Sequence, residues 1–523
     1  VSSVKTYLQD QVRLVTLSSN DLFTDDEYSQ YVKIVQLGNT YNERIGKGED
    51  KDTLKPILRE KEKLKEKLST TIQKRGENPR VVNLNMVVHH SKDSPFPFPK
   101  GITWKNLKIT RRIAEFSCEL TRAMGLNNLD CTLDLIVIKW KDLNLLKQLV
   151  LYGFYMPILH GDEVEMRHYQ FLTASAGQLR RDKTIFISDE MWNKIHRRIE
   201  CGMNWERINV HGGIVANKLL AYIALANSAT DVWTDFDIDR CIVIDDFEAE
   251  VTDRMMYIKE DYTYEIGKRT VMINHTDGCG MMLPTVSKLN FMTRLPFIKG
   301  LLVSFDYIKF CKVNNVPPII KDIYGKEHDL IKENIQIIFT KSMFKAYKYF
   351  ESFEEYKAEF KACGAQAGIT NYEEEYIPDA TLNYQFIQTL VNFTDEEIQQ
   401  FIKNDHDKIE KLGTNKDSML NTLGARKESD NPYKAALAYY PELLREAYSK
   451  ETIRAIRKSM MLDAKSGKIH CENKRLFAVP DLYAACERWF MGIEEPEGLL
   501  RGNEIACLPY RRHDKADVLR SPH

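Results

Sequence analysis

Apolar residues recur at Leu54, Leu58, Leu64, Leu68 and Ile72, near helical spacing, and dense charge such as Arg59-Glu60-Lys61-Glu62-Lys63 fills the gaps. That pattern predicts a solvated, charge-laced helix or helical hairpin over residues 52–75. A short β-like run follows at 81–88, then the proline-punctuated loop Ser94-Pro95-Phe96-Pro97-Phe98-Pro99, and helical periodicity returns over 104–124. From about Leu133 to Phe310 the pattern changes to apolar and β-branched runs of strand length, among them 133–140, 184–188, 241–244, 270–274 and 300–305. Gly, Asn and Asp separate these runs, which predicts a β-rich region with a more helical insert at 219–227. Residues 344–462 read as helical again, and Thr394-Asp395-Glu396-Glu397 reads as a capped helix start. Strand-like pieces are expected at 476–479, 489–491 and 504–508. No repeat recurs at a fixed period.

Composition narrows the class. The chain has 523 residues, 43% of them hydrophobic, with 25 Gly and 17 Pro, which excludes a collagenous or low-complexity chain and supports roughly three or four domains at ~150 residues each. Its 74 Lys+Arg balance 75 Asp+Glu, so any polyanion site must come from local clustering of charge. The 10 Cys are scattered without a CxxC pair, as expected of reduced thiols and not of a zinc module. No apolar run approaches the ~20 residues of a membrane span. A cytoplasmic protein without membrane partners is therefore expected.

Five segments carry candidate chemistry. In Tyr169–Lys183, small residues lead into Gln178 and the adjacent Arg180 and Arg181, whose guanidinium forks suit phosphate; a hairpin turn with surface arginines is the alternative. His275-Thr276-Asp277-Gly278-Cys279-Gly280 follows an apolar run and predicts a tight turn that aims amides at an anion, or a plain hairpin. His275 and Cys279 alone do not make a zinc site. Arg294-Leu295-Pro296-Phe297-Ile298-Lys299-Gly300 puts a lysine beside glycine at the start of a buried strand, and Thr340-Lys341-Ser342-Met343-Phe344-Lys345 adds two more cations. Asp235, Asp237 and Asp239 alternate as a two-metal carboxylate set would, although an exposed acidic edge explains them better.

Taken in order, these segments resemble the cellular RNA-dependent RNA polymerases of RNA silencing and their phage and mobile-element relatives, whose active site lies between two double-psi β-barrels. Phe171–Arg180 is similar to that family's F-L-x-x-S-x-S-Q-L-R segment, and Ile208–Ser228 to its following helix-and-serine stretch. His275–Met281 resembles S-D-G-I-G-K, Phe297–Leu301 resembles Y-K-G-(apolar), Ser342–Lys345 resembles S-M-x-K, and Val518–His523 resembles the start of N-P-x-x-H-P-G-D. The likeness covers residue 165 onward. Met281 stands where the family has Lys, and the D-x-D-G-D loop is not found.

Pattern and resemblance together lead to the expectation of an α+β chain, with a helical N-terminal region (1–130) read from the periodicity alone, a β-rich first barrel region (131–343), a helical insertion (344–470) and the start of a second barrel (471–523). The resemblance implies nucleotidyl transfer, in which a 3′-hydroxyl attacks the α-phosphate of a nucleoside triphosphate with two Mg²⁺ assisting. The main expectation is an RNA-directed RNA polymerase; the alternatives are a DNA-directed RNA polymerase of phage type and a catalytically inactive RNA-binding scaffold. Lys299 and Lys345 are expected to face the reacting phosphates. Gln178, Arg180, Arg181, Asp277, Gly278 and Arg294 are expected to bind nucleotide or template, with Gln178 at a ribose or base edge. The Mg²⁺ ligands are expected beyond His523, on a continuation of the chain or on a partner chain that carries the rest of the second barrel.

Overall fold

The computed structural model describes residues 10–75, 79–83, 113–160, 163–174, 182–261, 263–374, 377, 379–382, 394–426, 431–502, 504–507 and 518. It divides into two compact units, one of residues 1–373 and 479–501, the other of residues 374–478 and 502–523. Both helices and mixed sheets are present, so the α+β class holds. No described helix is long and apolar enough to cross a membrane.

The N-terminal part of the first unit is built on a seven-stranded mixed sheet. Its elements are β1 (Gln11–Ser18), α1 (Asp25–Gly46), α2 (Lys55–Lys74), β2 (Arg80–Val81), β3 (Ile113–Phe116), α3 (Glu119–Ala123), β4 (Cys131–Lys139), α4 (Leu143–Tyr152), β5 (Phe154–His160), β6 (Glu163–Thr173), β7 (Lys183–Ser188) and α5 (Asp189–Glu200). The strand order is β2-β5-β6-β7-β4-β1-β3, with β1–β4 and β2–β5 parallel. The periodicity over 52–75 becomes α2, which buries Leu68 and Ile72 against this sheet and leaves its charged face in water. β1 lies in a region whose charge pattern reads as helical, but alternate burial of Val12 and Leu14 favours a strand beside β4. Thr24 caps α1 through a capping box with Glu27. The Glu27 carboxylate also holds the buried Arg80 guanidinium at 2.7 Å, and Gln148 and the Leu22 carbonyl accept the remaining guanidinium protons.

A second seven-stranded mixed sheet follows in the same unit. After α6 (Trp205–Val210) and α7 (Ala216–Ile223) come β8 (Asp231–Val232), β9 (Cys241–Ile244), β10 (Glu248–Ile258), β11 (Tyr264–Asn274), β12 (Cys279–Met282), β13 (Phe291–Leu295), β14 (Ile298–Ser304), α8 (Tyr307–Val313), β15 (Ile319–Lys321), β16 (Glu327–Asp329), β17 (Ile337–Thr340), α9 (Phe353–Ala362) and β18 (Gly368–Tyr372). The order is β8-β18-β13-β14-β12-β17-β9, with β12–β14 and β17–β9 parallel. Among the described residues no ladder joins the edge strands β8 and β9. What the pairings establish is a mixed sheet; its reading as a double-psi barrel rests on the resemblance. An aromatic core of Phe291, Phe297, Phe344, Phe353 and Tyr356 packs beneath it, and the buried Tyr356 hydroxyl donates to the Pro296 carbonyl at 2.6 Å. Among the described residues β10 and β11 pair only with each other, over eleven residue pairs.

The second unit contains β19 (Asp379–Thr381), α10 (Asp395–Lys411), α11 (Lys416–Thr422), α12 (Pro432–Tyr439), α13 (Ala447–Lys465) and β20 (His470–Lys474). Thr394 caps α10 with Glu397 as its reciprocal partner, as the sequence suggests. Leu412, Leu420, Leu437 and Ile453 form its small core. In the first unit again, α14 (Leu482–Met491) replaces the strand expected at 489–491. Asp481 caps its start and Gly492 ends it in the left-handed conformation, so a strong local helix overrides a short apolar triplet. No strand is found at 476–479.

Candidate functional site

The buried strand β9 ends at Ile244 and delivers Asp245 and Asp246 to the sheet's end. The chain leaves along β10 and returns along β11 to Thr276, Asp277 and Gly278. Asp246 ties these segments to a third. Its Oδ2 accepts the Ser342 N–H at 2.7 Å, and its Oδ1 accepts the Ser342 hydroxyl at 2.6 Å and the Thr276 hydroxyl at 3.1 Å. Ser342 Oγ in turn accepts the Gly278 N–H at 2.7 Å. Gly278 has φ +68° with open space around a would-be Cβ, so the turn needs glycine for its backbone. Gly300 is required for a different reason: a Cβ there would lie 2.4 Å from the Gly278 carbonyl oxygen. That carbonyl accepts the Leu301 N–H at 2.9 Å and welds the two glycine segments together.

The cations converge on the same end. Arg294 and Lys299 sit directly opposite each other on β13 and β14, joined by the two-residue turn Pro296-Phe297. Proline suits the first turn position, whereas the second needs φ > 0 and is normally glycine or asparagine. Here Phe297 takes φ +61° with its ring fully buried. Backbone bonds from Lys299 N–H to the Met343 carbonyl (3.1 Å) and from Lys345 N–H to the Phe297 carbonyl (2.8 Å) lay the 342–345 turn alongside this hairpin. The Lys345 ammonium donates to the Ser342 carbonyl.

The electrostatics of this end are unbalanced. Desolvation pushes the Arg294 guanidinium below its usual range. Lys299 is exposed, yet it is also pushed down, by desolvation first and then by the positive charges of Arg294 and Lys345. Among the described residues no carboxylate lies within ion-pair distance of Arg294, Lys299 or Lys345. Their neighbour Lys341 is the contrast: it pairs with Asp245 at 3.0 Å, and that bond raises its ammonium. Three cations with no described carboxylate in ion-pair range can take an anion through their side chains; the Gly278, Ser342, Met343 and Lys345 amides are already engaged within the fold.

The structure thus brings together five residues expected from sequence, namely Asp277, Gly278, Arg294, Lys299 and Lys345. Gln178, Arg180 and Arg181 lie outside the described residues. Asp246, which organises the site with Ser342, carries only a weak signal, an aspartate immediately after a buried apolar strand, whereas Ser342 stands in the segment that resembles S-M-x-K. Met281 is fully buried on β12, so the position where the resembling family has a lysine belongs to the core here. His275 stacks on Phe247, while burial pushes the Cys279 thiol up to about 12. Asp237 caps a 3-10 turn and pairs with Arg240, and Asp239 pairs with Lys361 at 2.8 Å, so these two of the three alternating aspartates serve loop structure.

Among the described residues no group of three His, Cys, Asp or Glu is placed to hold a metal. Asp246 is committed to Ser342 and Thr276, and Asp245 to Lys341, so these carboxylates do not fit the expected Mg²⁺.

No family model matches the chain. Over 523 residues, 99% of its length, it is 38% identical to the DNA-directed RNA polymerase YonO of Bacillus phage SPbeta. The chain spans 58% of the length of that relative. This likeness along the whole chain relates it to an RNA polymerase.

Proposed function

We propose that the chain is the part of a DNA-directed RNA polymerase that holds phosphate during nucleotidyl transfer, with the second sheet as its double-psi barrel. The observation that carries this reading is the trio Arg294, Lys299 and Lys345, unneutralised beside the Gly278–Ser342 turn. Lys299 and Lys345 face the triphosphate of the incoming nucleotide and stabilise charge that develops on its phosphoryl oxygens as the 3′-hydroxyl attacks. Arg294, held more rigidly in the hairpin, supports Lys299 by direct opposition and shares the same anion. Asp246 acts through Ser342 and keeps the Gly278 amide and the 342–345 turn in place. Gln178, Arg180 and Arg181 contact triphosphate or template in this reading. No step here runs through the Mg²⁺ that polymerase chemistry uses, because the described residues supply no ligands for it.

A DNA template is favoured over the RNA template of the silencing enzymes because the relative similar along the whole chain is DNA-directed. Equilibrium binding of a fluorescent nucleoside triphosphate to the chain tests the site. Lys299→Ala with Lys345→Ala should weaken binding at least tenfold, and unchanged affinity would remove the phosphate role. Primer extension by the complete polymerase on matched DNA and RNA templates separates the two template readings: efficient synthesis on RNA alone would restore the RNA-directed one.

A further inference from the structure

The hairpin β10–β11 rises from the candidate site as a ribbon of eleven paired residues, about 35 Å long at ~3.4 Å per residue. Isolated two-stranded ribbons are marginal in water, and this one carries an exposed apolar end. Met256, Ile258, Tyr264 and Ile266 are 61%, 61%, 65% and 55% exposed. They form two directly opposed pairs, Met256–Ile266 and Ile258–Tyr264, and alternation puts all four on one face. The next opposed pair on that face towards the root is Arg254–Lys268, followed by Thr252–Thr270, whose hydroxyls bond at 2.7 Å.

Charge distinguishes the two faces. On the other one, Arg269 stacks over Tyr257 at 4.0 Å and pairs with Glu265, which also holds Lys259 at 3.0 Å. Asp261 at the tip accepts the Thr263 N–H and hydroxyl and is spent on the turn. Arg254 and Lys268 are both exposed and have no carboxylate within ion-pair distance among the described residues. Like charges directly opposite each other destabilise a ladder unless an anion sits between them. The acidic residues on this face are Glu248 and Glu250, at the root, and Glu260 stands at the far end.

We propose that this face binds a single nucleic-acid strand, with one or two backbone phosphates between Arg254 and Lys268 and bases laid against Tyr264, Ile258, Met256 and Ile266. The complementarity is that of single-strand sites generally: cations for the backbone and an aromatic or apolar platform for the bases, without hydrogen-bond readout. A blunt duplex offers phosphates but no free base faces, so it should bind this surface poorly. The proposal rests on the polymerase reading only for the supply of single-stranded template near the arm's root.

The test uses the whole chain with a photo-crosslinking amino acid at position 258 and end-labelled probes, a 30-nucleotide single strand and the matching blunt duplex. The single strand should crosslink, the duplex at least fivefold less, and Arg254→Glu with Lys268→Glu should abolish both signals. In a separate titration, Arg254→Ala with Lys268→Ala should lower the salt slope of single-strand binding by ~0.7 per phosphate released. An unchanged slope with undiminished crosslinking, or crosslinks to protein instead of DNA, would overturn the proposal. Lys299→Ala with Lys345→Ala tests the polymerase site in parallel. Loss of triphosphate binding there with an inert arm sinks only the arm, and the converse pattern sinks only the phosphate site.

Discussion

Gly300→Ala is the substitution that most directly probes how the site is built. The new methyl group would stand 2.4 Å from the Gly278 carbonyl oxygen and 2.7 and 2.8 Å from Cε and Cγ of Met343. Met343 is flexible and gives way, but the carbonyl is backbone in a turn and moves only with Gly278. Overpacking of this kind costs ~1–3 kcal/mol, and stretching the Leu301–Gly278 hydrogen bond costs ~1 more. Reduced freedom of the unfolded chain offsets about 0.4–1 kcal/mol. The net expectation is a loss of about 1–3.5 kcal/mol, read as a lower midpoint in urea or thermal unfolding. Because the displaced carbonyl belongs to the Gly278 turn, triphosphate affinity should fall as well, although no cation is changed. Gly278→Ala is the control: it meets open space and carries only the left-handed backbone penalty of ~1–2 kcal/mol. If Gly300→Ala leaves both the midpoint and the affinity within error of the parent, the close contact between the two glycine segments is not what holds the site together.

Glu27→Gln leaves the buried Arg80 charge uncompensated and should destabilise the first unit by ~3–5 kcal/mol. Burial pushes the Glu27 carboxyl up, but the Arg80 hydrogen bond and charge outweigh it, so the folded value lies below the usual 4.5. Its contribution is therefore complete above pH ~4.5 and is lost as pH falls through the lowered value, so parent and Glu27→Gln melting curves should converge only in acid. The Cys363 thiol is pulled down to about 7 by the neighbouring Cys201 thiol. Its iodoacetamide alkylation, followed by mass spectrometry, should half-saturate near pH 7 and shift towards 9 in Cys201→Ala; an unshifted profile would refute the thiol pairing. Phe297→Gly removes left-handed strain of ~1–3 kcal/mol but forfeits a buried ring worth ~3–5, so it should lower the unfolding midpoint.

What could be read from the sequence followed local signals. The α2 stripe, the Thr394 capping box and the strands at 184–188 and 241–244 come from periodicity or a cap, and these fix the chain locally. The strand at 11–18 buries Val12 and Leu14 on one face and Val15 and Leu17 on the other, but it is outvoted by the charge-laced helices beside it, because its parallel partner lies more than a hundred residues away. The cations of the site were legible as residues next to glycine or proline turns. Their convergence was not, since it depends on pairing across β13–β14 and on bonds from Phe297 and Lys299 to the 342–345 turn. Asp246 was hardest to see: its role consists of three contacts to residues about 30 and 96 positions along the chain.

The costs in this region fall in one place. Phe297 holds a left-handed backbone that favours glycine, Arg294 and Lys299 oppose each other as like charges, and both are desolvated. Each feature alone disfavours the folded state, and among the described residues no carboxylate lies within ion-pair distance to relieve it. The compensation is the aromatic core immediately beneath, where Phe344, Phe353 and Tyr356 pack within 6 Å of one another and Tyr356 bonds the Pro296 carbonyl. A hairpin that needed only to connect two strands would carry a carboxylate opposite Lys299, and it would be more stable for that change. In the proposed reading, the strain and repulsion held over this support are offset when the triphosphate binds. An acidic substitution, Arg294→Glu, should therefore stabilise the fold while it weakens triphosphate binding. Equal loss of both would show instead that Arg294 is a structural residue of the hairpin.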